Sequence, residues 1–421
     1  MPLSRGELEE RSFKLGLCFK PGAPISNKDL FFGRMSQIRD VVDSINQTGQ
    51  HVVLYGERGV GKSSLANMIF PNLHCPTGQK ITPLVNGMSS DKYADVWKRI
   101  FEEILVKADH DRLDFDKKTR KLLKEYTGPL ATVISPDEVR RLLYELGREF
   151  LVVVILDEFD SIEDEETRVM MSDTIKFLSD RAVPATVLLI GVADDAEGLV
   201  ANHQSVERCL QQISMPRMSR DELELIVTKG LATVEMTIDT PALQEISRLA
   251  RGLPHYAHLL GLHSGRCALD SGSLKVTRGH VGEAVKTAIN KAQATIQAAY
   301  SKATTSSRKD AIYKEVLLGC AMAETDDLGW FYARDAREPL RRILKKPTYG
   351  IEGFAKHLHA FCEETRGPVL KKDERQSRAR YRFANPLVQP YTLIRGLAEE
   401  LISEDDLRAT RDKKDPQKRM F

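Results

Sequence analysis

The sequence has no long hydrophobic run. Its longest apolar stretch is Phe150–Leu156, far short of the roughly 20 residues a helix needs to cross a bilayer, so no membrane span is expected. It has no C-x-x-C pair either. The six cysteines, Cys18, Cys75, Cys209, Cys267, Cys320 and Cys362, are scattered, which argues against a zinc or disulfide framework and for the thiols of a cytoplasmic protein. The first residues mix Glu7, Glu9, Glu10 and Arg11 without an apolar segment, so no signal peptide is expected. No internal repeat recurs. The net charge is only +2, so the charge of the whole molecule says little about partners.

The distribution of charge says more. Residues 299–421 hold 25 Lys and Arg against 19 Asp and Glu, and the preceding residues carry a small deficit. The surplus therefore lies in the C-terminal third. A length of 421 residues with 42% hydrophobic content predicts two or three globular domains.

One stretch organises the rest: Gly56-Glu57-Arg58-Gly59-Val60-Gly61-Lys62-Ser63. It follows the apolar run Val52–Tyr55 and opens the helical pattern of Ser64–Ile69. Strand, glycine-rich turn and helix N-terminus make a polyphosphate cradle, because the glycines let backbone N–H groups turn inward and the helix dipole favours an anion. Lys62 is placed for the β- and γ-phosphates and Ser63 for Mg²⁺, with Ser64 beside them. The second signature is Val152–Asp160, an apolar strand that delivers Asp157 and Glu158 to its C-terminal end. Asp157 is expected to hold Mg²⁺ through water, and Glu158 to orient and deprotonate an attacking water. Asp160 reads as a neighbouring turn carboxylate.

Along the chain, residues 1–25 read as an arm of little pattern. Strands are expected at 52–55, 80–85, 150–156 and 187–190. Helices are expected between them, at about 38–45, 91–108, 136–147 and 166–181. This alternation predicts an α/β fold with a parallel sheet covered on both faces. Residues 109–135 carry no assignable pattern. From Ser219 to about Ala298 the pattern is helical, broken at 237–241, 252–254 and 270–273, which reads as an all-α domain. Residues 301–309 read as a linker. Three helices (310–323, 334–344, 351–364) and two strands (369–372, 378–383) then give the order of a winged helix, and the residues from Ser403 read as a charged tail. The expected boundaries are 1–25, 26–218, 219–298, 299–400 and 401–421.

With the phosphate loop, the Asp157-Glu158 strand end, a helical lid and a C-terminal winged helix, residues 28–395 resemble AAA+ ATPases of the origin-recognition and replication-initiator type. The architecture is also similar to that of STAND signalling ATPases. The resemblance implies an α/β P-loop NTPase base with a helical lid and a winged-helix domain, binding ATP or ADP with Mg²⁺. By it, Phe32-Gly33-Arg34 is the lead-in beside the nucleotide base. Asn86 is the polar residue that pairs with the catalytic glutamate, although a turn asparagine reads equally well there. Asp194 falls at the first sensor, where the family carries Asn, Ser or Thr; a carboxylate there implies slow hydrolysis. Arg208 is the arginine finger that reaches a neighbouring subunit, or else a helix-surface arginine. Pro254 and His255 fall at the second sensor, with His255 in place of the usual arginine and Arg251 nearby.

The basic C-terminal residues are the partner-binding candidates. Lys371, Lys372, Arg375, Arg378, Arg380 and Arg382 surround the strand pair, and alternation puts Arg378, Arg380 and Arg382 on one side. A second row is Arg334, Arg337, Arg341, Arg342, Lys345 and Lys346. The expected recognition helix offers only Lys356, His357 and His359. Contact with the backbone of duplex DNA and little sequence reading is therefore expected. The alternatives are a solvated basic face or a module that meets a separate effector protein, and self-association through Arg208 remains open beside them. A cytoplasmic, nucleoid-associated location follows from the DNA reading.

Overall fold

The computed structural model describes residues 4–24, 33–73, 79–110, 117–127, 134–193, 204–308, 310–374 and 378–409. The chain forms two compact units. One comprises Pro24–Glu57 and Lys62–Met215, and the other Met1–Ala23, Arg58–Gly61 and Pro216–Phe421.

The first unit is built on a parallel sheet of β1 (His51–Tyr55), β2 (Lys80–Ile81), β3 (Leu84–Asn86), β4 (Leu151–Asp157), β5 (Ala185–Gly191) and β6 (Leu210–Ser214). The order is β2-β4-β5-β1-β6, with β3 also paired to β4. Residues 152–157 of β4 are buried without a break. Successive side chains alternate faces, so both faces of the sheet are covered. Trp97, Phe101, Leu142, Leu146 and Ile175, from three of the helices, join Val152 and Val154 in one core. The indole of Trp97 lies 5.7 Å from the ring of Phe101.

The single strand expected at 80–85 is broken into β2 and β3. Pro83 has no N–H to give a ladder, and its carbonyl accepts from Ile155 N at 2.9 Å, so β4 pairs on both sides of the break. The helix Pro136–Gly147 opens on the expected capping box of Ser135 and Glu138. Inside the stretch without assignable pattern lies the helix Lys117–Thr127, which buries Leu123.

In the second unit, residues 1–25 are not a patternless arm. Ser4 and Glu7 form a capping box that starts the helix Arg5–Cys18. Leu15, Cys18 and Phe19 are buried. Phe19 occupies a groove floored by glycines: a Cβ on Gly230 or Gly261 would come within 2.5 or 2.7 Å of its ring. The groove belongs to the helices Arg220–Ala232 and Pro254–Asp270. With Thr240–Ala250 and Arg278–Asn290 these make a helical bundle. To it the structure adds a short parallel pair, β7 (Thr237–Ile238) and β8 (Lys275–Val276).

The helix Ala294–Thr304 runs into the expected linker. The C-terminal part has the helices Tyr313–Met322, Ala333–Leu344, Glu352–Ala360 and Val388–Ala398. Its antiparallel sheet runs β10 (Leu370–Asp373), β11 (Arg380–Phe383), β9 (Phe331–Tyr332). β9 had no counterpart in the sequence pattern. Ser403 caps a further short helix, Glu404–Arg408. No helix among the described residues is long and apolar enough to cross a membrane.

Candidate functional site

The glycine-rich turn leaves β1 at Tyr55. Gly56 has φ 154°, and a Cβ there would sit 2.5 Å from the carbonyl oxygen of Met215. Met215 N donates to Tyr55 O at 2.7 Å, so the residue after β6 presses on the loop where only glycine fits. Gly59 and Gly61 also have left-handed φ, 86° and 97°. The helix Lys62–Asn72 starts at once. Lys62 is buried, and its Nζ donates to Gly56 O (2.9 Å) and Glu57 O (2.8 Å). The cation is thus held by the carbonyls of its own loop, at a helix N-terminus suited to anions. Ser63 and Ser64 are half-buried on the first helical turn, and Glu57 is buried. Arg58–Gly61 belong to the second unit, where a Cβ on Gly59 would lie 3.2 Å from Leu387 Cδ2.

The acidic end of β4 stands opposite the end of β3. Asn86 pairs in register with Asp157, and Gly87 N donates to Asp157 O at 2.7 Å. A Cβ on Gly87 would lie 2.7 Å from Glu158 O, so that approach requires glycine. Asp157 is buried, and one of its oxygens accepts from Glu158 N at 2.8 Å. Glu158 is exposed and left-handed, with φ 53°. A left-handed glutamate is unfavourable and persists where its surroundings enforce it; here Asp157 and Gly87 do so. Asp160 Oδ1 accepts from Val192 N at 2.8 Å, which ties the end of β5 to the turn after β4. Asp160 is therefore the turn carboxylate the sequence suggests.

β5 runs between β4 and β1. At about 4.8 Å per strand, the acidic end stands roughly 10 Å from the end of the loop strand, and the tip of β5 lies between them. Asp194, the residue expected at the first sensor, lies outside the described residues, as does Phe32. Arg34 is buried at the left-handed start of the helix Met35–Ile45.

Arg208 is not with these residues. His51 at the start of β1 pairs with Leu210 at the start of β6. Arg208 therefore sits at the N-terminal edge of the sheet, about 17 Å of strand from the loop. It is exposed and bonds to Asp180. In the second unit, Pro254 starts its helix and His255 Nδ1 lies 2.6 Å from Pro21 O. Burial lowers the pKa of His255 below its usual value.

Arg99 and Asp91 carried no signature in the sequence. Arg99 donates to Asn86 O (3.1 Å) and to the Asp91 carboxylate, while Asp91 accepts from Met88 N at 2.7 Å. Together they brace the turn beside Glu158. An Asp just before a helix and an Arg eight positions later was the only available sign.

The basic hairpin differs from its expectation. Arg380 and Arg382 do share one side, but that side faces Trp330, 4.7 and 4.6 Å from the indole centroid. Arg380 also pairs with Asp373 at 2.8 Å and Asp326 at 3.7 Å. Arg382 is buried, and Lys372 pairs with Glu374. Lys371 and Arg378 are exposed, and Arg375 lies outside the described residues. The row is thus not a continuous solvent-facing stripe, because the indole of Trp330, the residue before β9, covers Arg380 and Arg382.

The family model described as novel STAND NTPase 1 matches residues 24–323. No curated protein matches in sequence. Among solved structures, a Walker-type ATPase of Pyrococcus abyssi is similar at 15% identity and TM-score 0.51, over 89% of this chain and 99% of that one. The Aeropyrum pernix ORC2 protein, in ADPNP–ADP complexes, is similar at 16% identity and TM-score 0.47, over 89% and 92%. Drosophila ORC bound to DNA is similar at 15% identity and TM-score 0.46, over 93% and 94%. At these identities the first likeness speaks for the fold.

Proposed function

The chain belongs to the novel STAND NTPase 1 family, and from that premise we propose that it is an ATP-binding, slowly hydrolysing switch that meets duplex DNA through a C-terminal winged helix. The observation that carries the nucleotide part is the loop Gly56–Ser63. Its glycines are left-handed and its lysine ammonium is already held at the turn by Gly56 O and Glu57 O. Such a loop presents backbone N–H groups, a helix N-terminus and one cation to a polyphosphate. Lys62 then exchanges its carbonyl partners for phosphate oxygens. The boundaries at 26–218, 219–298 and 299–400 for base, lid and winged helix are part of this reading.

The oxygen donors of Ser63 and Asp157 suit Mg²⁺, a hard cation that takes hydroxyl, carboxylate, water and phosphate ligands. When bound, Mg²⁺ would neutralise developing phosphate charge. Glu158, exposed at the tip of β4 beside Asn86 and Gly87, accepts the proton of the attacking water. Asn86 holds the idle glutamate. Arg99 and Asp91 keep the Asn86 turn in place. Phe32 and Arg34 flank the base of the nucleotide, and Pro254 and His255 serve as second sensor. With Asp194 at the first sensor, turnover stays below about 10 per second. Arg208, on the edge of the sheet away from its own loop, acts on a neighbouring copy.

Calorimetry tests the nucleotide part: Lys62→Ala should abolish ATP binding, and unchanged binding refutes it. A salt titration of duplex binding with ATP present tests the DNA part, since log affinity falls with log salt by about 0.9 per neutralised phosphate. Lys371 and Arg378 supply hairpin charge for it. A second reading, a switch whose C-terminal domain meets a protein effector, is favoured by one buried contact. Gln389 accepts from Arg217 Nη1 at 2.6 Å and donates to Ala321 O at 3.1 Å, so the helix Val388–Ala398 is fastened to the segment leaving β6. Absence of duplex binding at low salt would select that reading.

A further inference from the structure

The outward positive charge of the C-terminal domain gathers at one helix end. Arg342, Lys345 and Lys346 close the helix Ala333–Leu344 and are exposed. Their side chains make no hydrogen bond or ion pair among the described residues. Arg380, Arg382 and Lys372 are instead engaged within the domain, as is Arg366, whose guanidinium stacks 3.7 Å from the Tyr313 ring.

Two features of this helix end are unfavourable for folding by itself. Arg342, Lys345 and Lys346 crowd three cations into five residues at and just beyond the helix end, and like charges repel. Lys345 is left-handed, with φ 52°, at the helix-ending position where glycine or asparagine is usual. The helix dipole accounts for basic residues in a last turn. It does not account for lysine in a left-handed conformation. An external anion would offset the crowded charge.

The chemistry of that anion is narrowed by what the surface lacks. Among the described residues, the exposed large hydrophobic ones are Phe13, Leu17, Met35, Met88, Val106, Tyr144, Phe177, Val192 and Leu225, and none of these belongs to the C-terminal domain. A protein interface of useful affinity is usually anchored by buried aromatic or aliphatic side chains. A nucleic-acid backbone needs only cations and hydrogen-bond donors. We propose that Arg342, Lys345 and Lys346 are the main phosphate contacts of this domain with duplex DNA, in place of the arginines of the hairpin and the helix Glu352–Ala360. The proposal rests on the DNA reading above and assigns its surface. Contact at a helix end by three long cations positions the domain without reading sequence.

The test is fluorescence anisotropy with a labelled mixed-sequence duplex of about 25 base pairs, full-length protein and ATP, titrated with salt. Neutralising three phosphate contacts lowers the salt slope by about 3. The triple variant Arg342→Ala, Lys345→Ala, Lys346→Ala should show that drop and at least a tenfold loss of affinity at low salt. Its ATP binding and melting temperature should stay near wild type. Arg378→Ala should lower the slope by no more than about 1. A triple variant with the wild-type slope, beside wild-type protein that binds, overturns the assignment and leaves the DNA reading standing. Wild-type protein that binds a polyglutamate peptide but no duplex overturns both and gives the surface to an acidic protein.

Discussion

Two charged stretches, Asp157–Asp160 at the end of β4 and Arg378–Arg382 leading into β11, are of opposite sign and show where the fold leaves their charge. At the end of β4, Asp157 and Asp160 each accept a backbone N–H, from Glu158 and Val192, and Glu158 between them is exposed. At β11 the pattern returns with the opposite charge: Arg380 and Arg382 are turned onto Trp330 and Asp373, and Arg378 before them is exposed. In each case one charged side chain is presented outward by neighbours whose own charge is engaged. Exposure, not density of charge, separates a charge offered to solvent from one engaged in the fold.

The largest effect that would break this comparison lies at Glu158. Glu158→Gln keeps size and hydrogen bonding but removes the proton acceptor. ATP turnover should fall by about 10²–10⁴-fold with ATP affinity retained. Normal turnover in a phosphate-release assay would move the base elsewhere.

On the basic side the effects should fall in order along one strand pair. Trp330→Ala empties a buried site that two guanidinium groups cover, and should cost about 3–5 kcal/mol of the second unit's stability. Arg380→Ala leaves the buried Asp373 carboxylate without its cation and should cost about 1–3 kcal/mol. Arg378→Ala, at an exposed position, should stay within about 0.5 kcal/mol. Denaturant unfolding followed by Trp330 fluorescence measures the two arginine variants, and hydrogen exchange at β11 measures all three. A larger loss at Arg378 than at Arg380 would reverse the reading of the strand.

The contrast also marks what the sequence makes legible. The phosphate loop and the end of β4 can be read because local chemistry fixes them: glycines at left-handed φ, a lysine opening the helix, carboxylates at a buried strand's end. The alternation correctly gives Arg380 and Arg382 a common side. It cannot say what lies on that side, because the cover comes from Trp330, brought there by the two-residue strand β9 that follows it, too short for a periodicity to show. The same limit hid the brace of Asp91 and Arg99, which depends on where β3 ends. The helix Arg5–Cys18 is a different case. Its S-x-x-E capping box at Ser4–Glu7 and the spacing of Leu8, Leu15 and Cys18 are visible in the sequence. What hid it was its charge, and its packing depends on glycines more than 200 residues away.

The smallest expected effect concerns a buried group that neither charged stretch touches. His51 begins β1 fully buried, and its Nδ1 accepts from Val187 N at 3.0 Å. Burial holds its pKa down at about 4, against about 6.5 for an unperturbed histidine. Protonation would also set an N–H against the N–H of Val187. Between those two pH values the unfolded chain binds a proton that the folded sheet refuses, so stability rises with pH across that window. It is fully present above about pH 6.5 and is lost as pH falls towards 4. The nitrogen-15 shifts of the His51 ring should therefore show no titration near pH 6.5 and a midpoint near 4. His51→Leu should flatten the acid limb of the first unit's unfolding profile by up to one proton, while removing the acceptor of Val187 N costs about 1 kcal/mol at neutral pH. A His51 ring that titrates near 6.5 in the folded protein would mean that the start of β1 is open to water, and the sheet edge that carries Arg208 would be open with it.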